Sequence, residues 1–323
     1  EIAQCLVGSE MCIRDRLRFP KRFLLAFYRA RAHIIMPEAL MKKLTILEVQ
    51  AMELEMLRQL LAYFKKHGIR CYTGGGTTLG SVRHGGFIPW DDDIDLLLPR
   101  ADYDRLLALT KTEPVGPNIR ICRPGEKDYI FPYAKACDTR TAVFEPSVRG
   151  TKYATGVFVD LFPLDTHRRT RAGNVLLIAK MRWYRSLLET ASHQKNLSRP
   201  GSFAWAAKAA LRTLQKPLCA FWCVEKITAH MDAIGRRVSQ KPTGITGNLM
   251  TTVNWRDYYD VRVFGRGKAG KFENLTVTNP AQTDFYLRSL YGDWRKLPPP
   301  EARRAHDMDV WLLQDGEDPD GRT

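Results

Sequence analysis

The sequence predicts an α+β fold: a mixed-sheet core flanked by helices, with a basic helical insertion. Three observations carry that expectation. An amphipathic helical repeat occupies 44–67. Short strand runs follow with irregular Gly- and Pro-marked links, a pattern unlike regular βαβ winding. The stretch 166–241 then turns helix-forming, rich in Ala, Leu and Trp, and strongly basic. The length of 323 residues, with 44% hydrophobic and 26% charged side chains, excludes a disordered, collagen-like or disulfide-scaffold chain. It suits one large domain, or one domain with a substantial insertion.

The first 16 residues are expected to be a non-native leader. Val7 to Arg16 reads like translated sequencing-adapter sequence, and the chain opens on Glu1. Residues 17–43 form a basic amphipathic segment interrupted by Pro20 and Pro37. From Leu44 to His67, Leu47, Leu54, Leu57, Leu61 and Phe64 recur at helical steps, while Glu53, Arg58 and Lys65 fall elsewhere on the wheel. Gly68 ends this helix, since glycine adopts the left-handed terminus without a Cβ clash. A core region is thus expected over 44–165, the insertion over 166–241, and a C-terminal part completing the domain over 242–323.

Strands are expected at Ile69–Tyr72, Ile94–Leu98, Ile119–Cys122, Tyr129–Ala136, Thr141–Phe144 and Val157–Leu161. A helix is expected at Asp102–Leu109, and another begins near Thr77 or Thr78 after the glycine run. In the C-terminal part, Val261–Phe264 reads as strand and Ala281–Tyr291 as helix, with a turn at Pro298-Pro299-Pro300 and a frayed tail from Gly316. No internal repeat or low-complexity tract occurs.

Lys and Arg number 50 against 35 Asp and Glu, a formal charge of +15. Such a chain is expected to meet an anionic partner: nucleic acid, nucleotide phosphates or an anionic membrane face. The stretch 166–241 holds fifteen basic residues against Glu189, Glu225 and Asp232, so it carries +12 of that charge. No uncharged apolar run approaches the ~20 residues of a membrane span, and no signal-peptide pattern opens the chain. Seven cysteines, an odd number without a C-x-x-C pair, suit reduced thiols in the cytoplasm. Cys219 and Cys223 sit one helical turn apart with His230 beyond, but no second pair completes a zinc site, and two packed helix thiols are the better reading.

The chemistry concentrates in Gly74 to Asp95. Asp91, Asp92, Asp93 and Asp95 crowd the start of an apolar strand. Carboxylates there repel one another unless a cation neutralises them. Strand side chains alternate, so Asp93 and Asp95 share a face, with Asp91 on the same side if the strand starts early and Asp92 turned away as a structural cap. Two carboxylates so spaced suit Mg²⁺, which takes oxygen ligands and shares itself with substrate phosphates. A calcium loop is excluded, because its sixth position needs Gly and Leu96 stands there. The preceding turn, Gly74 to Ser81, offers backbone N–H groups to a phosphate, with the Thr77 and Ser81 hydroxyls beside them. It is not a Walker A loop, since no Gly-Lys-Ser/Thr follows. Arg83 and His84 are placed to touch phosphate oxygens, or else are a surface Arg and His.

The run Gly75-Gly76-Thr77-Thr78-Leu79-Gly80-Ser81-Val82-Arg83-His84-Gly85-Gly86-Phe87-Ile88-Pro89-Trp90-Asp91-Asp92-Asp93-Ile94-Asp95 resembles the signature of the LicD family. That family includes bacterial phosphocholine transferases, with fukutin-related ribitol-phosphate transferases as relatives. Phe158 to Asp165 is similar to its second block, and Tyr291-Gly292-Asp293-Trp294 with Leu297-Pro298-Pro299 and His306 to its C-terminal block. The resemblance implies a nucleotidyltransferase-like fold. It implies that Asp93 and Asp95 are a metal-binding pair and Asp160 the third carboxylate, with Asp165 a weaker candidate. Asp160 is also the lone acid of an apolar run, where an unpaired charge is costly.

The expected reaction moves a phospho-alcohol, phosphocholine or a phospho-alditol, from a CDP-activated donor to a hydroxyl of a cell-surface glycan or glycolipid, of lipopolysaccharide or teichoic-acid type. Mg²⁺, or Mn²⁺ in its place, neutralises the leaving CMP. Asp160 holds metal or takes the acceptor proton. Gly75, Gly76, Thr77, Ser81 and Arg83 position the diphosphate. Lys135 and Arg140 add charge or lie at the surface. Trp90, Tyr129, Phe131 and Tyr133 are available to cage a choline ammonium, or simply pack. A nucleotidyltransferase releasing pyrophosphate would use the same parts. A non-catalytic basic protein on a membrane surface or nucleic acid is the alternative of another class. No nucleic-acid reading motif occurs, and Trp183, Tyr184, Trp205, Phe221 and Trp222 in the basic stretch look like packing or interface anchors. Basic helices bearing Trp and Leu fit an anionic membrane surface better, so the enzyme is expected in the cytoplasm, peripheral on the inner face of the membrane.

Overall fold

The computed structural model describes residues 41–145, 155–194, 203–251, 258–303, 305 and 308–313. Residues 1–40, His306 and the tail from Gly316 lie outside the described residues, and with them the expectations placed on the leader, most of the basic N-terminal segment and the tail.

In chain order the elements are β1 (Met41–Lys43), α1 (Ile46–His67), β2 (Tyr72–Thr73), α2 (Gly75–Arg83), β3 (Ile94–Pro99), α3 (Arg100–Leu109), β4 (Ile119–Cys122), β5 (Ala134–Asp138), β6 (Thr141–Phe144) and β7 (Phe158–Thr166). Then come α4 (Arg171–Ala191), α5 (Phe203–Gln215), a 3-10 turn (Lys216–Ala220), α6 (Val224–Ser239), β8 (Ile245–Asn248), β9 (Tyr258–Asp260), β10 (Lys268–Phe272), β11 (Leu275–Asn279), α7 (Thr283–Tyr291) and β12 (Asp309–Leu313). The fold is α+β. Its main sheet runs β2-β3-β7-β5-β4, with β8 on β7 and β9 on β8. Only β3 and β7 pair in parallel there; the other pairs are antiparallel.

Strand β3 is buried on both faces, as a central strand should be. Ile94, Leu96 and Leu98 join a core with Leu57 and Leu60 of α1 and Tyr103 and Leu106 of α3, while Leu97 joins a second core with Leu177, Ile227 and Leu287 from α4, α6 and α7. Helix α1 starts in a capping box, Thr45 receiving the Glu48 N–H while Glu48 receives that of Thr45, and it ends at left-handed Gly68, φ 60°.

Several expectations change. Leu47 is 72% exposed, and α1 buries Glu53 instead, at 1%. Helix α2 starts at Gly75, two residues before Thr77. Residues 129–133 are not strand; β5 begins at Ala134. Val261–Val263 is a 3-10 turn. The hairpin β10–β11 went unforeseen because its two-residue turn is Glu273-Asn274, with Glu273 at φ 54°, and lacks the usual Asn-Gly or Gly signal. Nor does 166–241 stand apart from the core. Asp232 of α6 and Asp165 of β7 both grip buried Arg100, with Nη1···Oδ1 2.6 Å and Nε···Oδ1 2.7 Å. Asp165 is therefore a structural acid, fully buried on that arginine.

Candidate active site

The parallel register sets Asp95 of β3 directly opposite Asp160 of β7, and the antiparallel register sets Lys135 of β5 opposite Asp160 on its other side. Three strands thus carry a row of two carboxyls and one ammonium. Asp91, Asp93 and Asp95 alternate with buried Asp92 and Ile94, and all three line one cleft of ≈ 680 Å³. The expected face-sharing holds, with Asp92 turned inward.

Helix α2 is set against these acids by its glycines. A Cβ on Gly75 would come within 2.8 Å of Asp95 Oδ2, and one on Gly76 within 2.6 Å of Asp91 Oδ2. Gly75 also has φ 37°, where a side chain is strained. Side-chain hydroxyls brace the turn. The Asp95 N–H donates to Thr77 Oγ1 at 2.7 Å, and Ser81 Oγ accepts from Asn279 Nδ2 at 3.0 Å. Thr73 donates to the same Asn279 side chain at 2.6 Å. Thr77 and Ser81 therefore hold the scaffold, in contrast to the expected phosphate contact. The Gly75 N–H donates to Tyr286 Oη at 3.1 Å. The N–H groups of Gly76 and Thr77 fall in the first helical turn, where no intrahelical acceptor exists.

The far wall of the cleft comes from the C-terminal block: Tyr291, Asp293, Trp294 and Leu297 to Pro299. Arg83 lines the cleft and donates to the Trp294 carbonyl at 2.9 Å, which ties the two walls together. His84 meets the Trp90 ring edge-on at 6.3 Å, and burial followed by neighbouring Arg83 lowers its pKa. Trp90 lines the cleft beneath Arg303, whose guanidinium lies 5.4 Å from the ring centroid.

Asp160 and Lys135 sit one strand further in. Neither is among the residues lining the cleft. Lys135 Nζ lies 3.0 Å from Asp160 Oδ1 and 3.4 Å from Glu145, under the rings of Phe158 (3.2 Å) and Phe131 (4.2 Å). This is a charge contact without hydrogen-bond alignment, since Asp160 Oδ1 has no hydrogen-bond partner. Burial alone would lower the Lys135 pKa, but Asp160, Tyr133 and Glu145 outweigh it and lift it well above the lysine range. Burial pushes Asp160 up to about 7, with Lys135 opposing and Asp93 adding to the rise. Asp95 is raised well above the carboxylate range by burial, then by Asp93 and Asp160. Tyr129 and Tyr133 are buried; Phe131 and Tyr133 lie over Lys135, and Tyr129 packs on Phe131. Arg140 pairs with Asp138 at 2.6 Å, away from this row.

Sequence reasoning missed three residues here. Gln50 donates to the Asp91 carbonyl at 2.7 Å. Glu53, one turn along α1, buries Oε2 without a hydrogen-bond partner; its pKa is raised by burial and then by Asp93, Asp92, Asp91 and Asp160. Asn279 clamps the glycine turn. The helical wheel sets Glu53 off the apolar stripe, and periodicity alone does not show which side the acids approach.

A divalent cation fits this chemistry. The donors are hard carboxylate oxygens, Asp160 Oδ1 is buried without a hydrogen bond, and the acids hold one another's pKa values up. Among the described residues, no three His, Cys, Asp or Glu side chains group as a metal site by themselves, so a cation here needs further oxygens from a ligand. Cys219 and Cys223 are free thiols, and His230 packs against Tyr184 and Trp222.

A glycine-started helix facing side-by-side strand aspartates, closed by a C-terminal wall, defines a phosphate-handling α+β domain. Residues 68–194 match the family described as LicD/FKTN/FKRP, nucleotidyltransferase domain. That match runs from Gly68 through α4, past the expected boundary at residue 165. Over 277 residues the chain is 27% identical to the lipopolysaccharide cholinephosphotransferase LicD of Haemophilus influenzae, covering 82% of this chain and 97% of that protein. A 71-residue stretch is 32% identical to an uncharacterized protein of Rickettsia typhi, covering 22% of this chain and 23% of that protein.

Proposed function

We propose that this chain is a phosphotransferase of the LicD type, an enzyme that moves phosphocholine or a related phospho-alcohol from a CDP-activated donor to a hydroxyl of a cell-surface glycan or glycolipid. One observation carries the reading: Asp93 and Asp95 line a cleft floored by the glycine start of α2, with Asp160 in register behind them. The likeness to a lipopolysaccharide cholinephosphotransferase supports the choice of group and acceptor.

Asp93 and Asp95 are the residues that would hold Mg²⁺, or Mn²⁺ in its place. When bound, the cation supplies charge neutralisation for the diphosphate and the departing CMP. The first-turn N–H groups of α2 and the Arg83 guanidinium orient the phosphates for in-line attack. Asp160 lies in register behind Asp95 and does not line the cleft, so it supports the metal-binding pair from within the sheet and does not meet the acceptor. Lys135 is the positioning residue that keeps that carboxylate in place and lets it ionise. Trp90 and Tyr291, both on the cleft, offer aromatic faces to a choline ammonium.

The test is product analysis with purified protein, Mg²⁺ and a panel of CDP-alcohols. Release of CMP with transfer to a glycan acceptor is expected. Pyrophosphate from CTP would instead establish the nucleotidyltransferase reading, and turnover of neither would sink the enzyme assignment.

A further inference from the structure

The basic stretch carries a second, unassigned surface. Its three acids are all engaged inward. Glu189 accepts from Arg212 at 2.6 Å and Lys208 at 2.9 Å. Asp232 lies between Arg100 and Arg236. Glu225 Oε1 accepts the Asp128 N–H at 3.4 Å. Among the described residues of 166–241, every exposed charged side chain is therefore basic, including Arg169, Arg171, Lys180, Arg182, Lys216 and Lys226.

An apolar stripe runs through this field. Leu214 at the end of α5, Leu218 in the 3-10 turn and Phe221 after it recur at four- and three-residue steps. Their exposures are 75%, 39% and 77%. The backbone beneath them is fixed. Gln215 is fully buried, its Oε1 accepting from Ser186 Oγ at 2.9 Å, and Trp222 packs on Tyr184 and His230 at 5.7 and 5.1 Å. The turn thus drives Trp222 inward and presents its neighbour Phe221 outward. Exposed Lys216 lies between the two leucines.

We infer that the α4–α5 region docks on an anionic lipid surface. Leu214, Leu218 and Phe221 enter the headgroup–acyl boundary, while Lys180, Arg182 and Lys216 meet lipid phosphates and carboxylates. Charge complementarity selects the partner: a surface whose acids are all turned inward repels cations and attracts a dense anionic plane. Leu214 and Leu218 favour lipid over nucleic acid, because aliphatic side chains offer bases no stacking face and Phe221 is the one stripe residue that does. Among the described residues no helix is long and apolar enough to cross a membrane, so this contact is peripheral.

The test is cosedimentation of the full chain with phosphatidylcholine vesicles, with and without about 30 mol% phosphatidylserine, at about 0.15 M salt. At least ~tenfold stronger partition onto the anionic vesicles is expected. Leu214→Ser/Leu218→Ser/Phe221→Ser and, separately, Lys180→Glu/Arg182→Glu/Lys216→Glu should each lower it about tenfold or more with helical circular dichroism retained. Phe221→Ser alone replaces any variant that loses helix. Equal partition onto both vesicle types, or a stripe variant that binds as the parent does, overturns the inference. So does vesicle-independent binding to an oligonucleotide, or self-association in solution that the stripe variant abolishes. The assay needs neither donor nor acceptor, so its failure leaves the transfer reading untouched.

Discussion

Asp95 and Asp160 face each other across the parallel pair β3 and β7, and Lys135 closes the row from β5. Two buried acids in register with one buried base leave a net negative charge on the row. Burial is the main reason Asp160 titrates near 7, with Lys135 opposing the rise and Asp93 adding to it. Its folded pKa is above its unfolded one. The stabilising proton is fully present below the unfolded value of 3.8 and is lost as pH rises through about 7. In metal-free protein this carboxyl therefore costs about 1.4 kcal/mol per pH unit across that window. Buried His167 acts oppositely, since burial lowers its pKa from 6.5 to about 4 and it loses stability as pH falls between those values. The Asp160→Asn difference isolates the effect. Denaturant melts of parent and variant between pH 4 and 8 should diverge with that slope; parallel curves would show that Asp160 is ionised throughout.

Removing the base exposes the same imbalance. Lys135→Met leaves Asp160 buried beside acids with no cation within reach. A broken buried pair costs about 3–5 kcal/mol. The loss should be largest near pH 8 and shrink near pH 5, where Asp160 takes a proton. A pH-independent loss would assign Lys135 to packing against Phe158 and Phe131 alone.

Catalytic dependence should separate the acids from their scaffold. Asp93→Asn and Asp95→Asn are each expected to lower CMP release by at least about a hundredfold with unchanged circular dichroism. Asp165→Asn should behave differently, because its partner is Arg100. It should lower the melting temperature, with turnover at low temperature largely kept. Full activity in the Asp93→Asn/Asp95→Asn double variant would contradict the site.

Two glycines of α2 discriminate in the same way. A Cβ on Gly76 meets the tip of Asp91, a side chain that can turn aside, whereas one on Gly80 meets the Gly86 carbonyl at 2.4 Å, which is backbone. Gly76→Ala should leave stability within about 1 kcal/mol and impair turnover; Gly80→Ala should cost about 1–3 kcal/mol as overpacking does. Equal melting temperatures for the two would refute the distinction.

The site was largely legible because its parts are local. Asp91, Asp93 and Asp95 alternate with buried Asp92 and Ile94 as a strand pattern predicts, although β3 itself starts only at Ile94, and the glycine turn lies in the same short segment, so no long-range contact had to be known. Asp160 could be paired with them through the family resemblance and the oddness of one acid in an apolar run. Residues whose meaning comes from packing were not legible. In the sequence Lys135 fits a phosphate contact and a surface lysine alike, and Thr77 and Ser81 fit phosphate ligands because their hydroxyls carry no mark of being engaged by Asp95 and Asn279. The hairpin that supplies Asn279 has an atypical turn. The basic stretch reads as an insertion because its charge is exposed, while its attachment is buried: Asp232 on Arg100, and Leu177 and Ile227 in the core that Leu97 joins.

Glu53 gives the most direct check on that packing. Its carboxyl is buried on α1 with Oε2 unpartnered, among Asp93, Asp92, Asp91 and Asp160, and both burial and those charges raise its pKa well above the glutamate range. Folding therefore forces a proton onto it, and that requirement grows harder to meet as pH rises. Glu53→Gln keeps the shape and removes the requirement. Metal-free Glu53→Gln protein should melt higher than the parent at pH 8 and close to it at pH 4, because below the unfolded glutamate value of 4.5 the side chain is neutral folded and unfolded alike. If Glu53 instead serves only as a hydrogen-bonded core residue, the variant melts lower at both pH values, and the acidic floor beneath the cleft is not the strained cluster its burial implies.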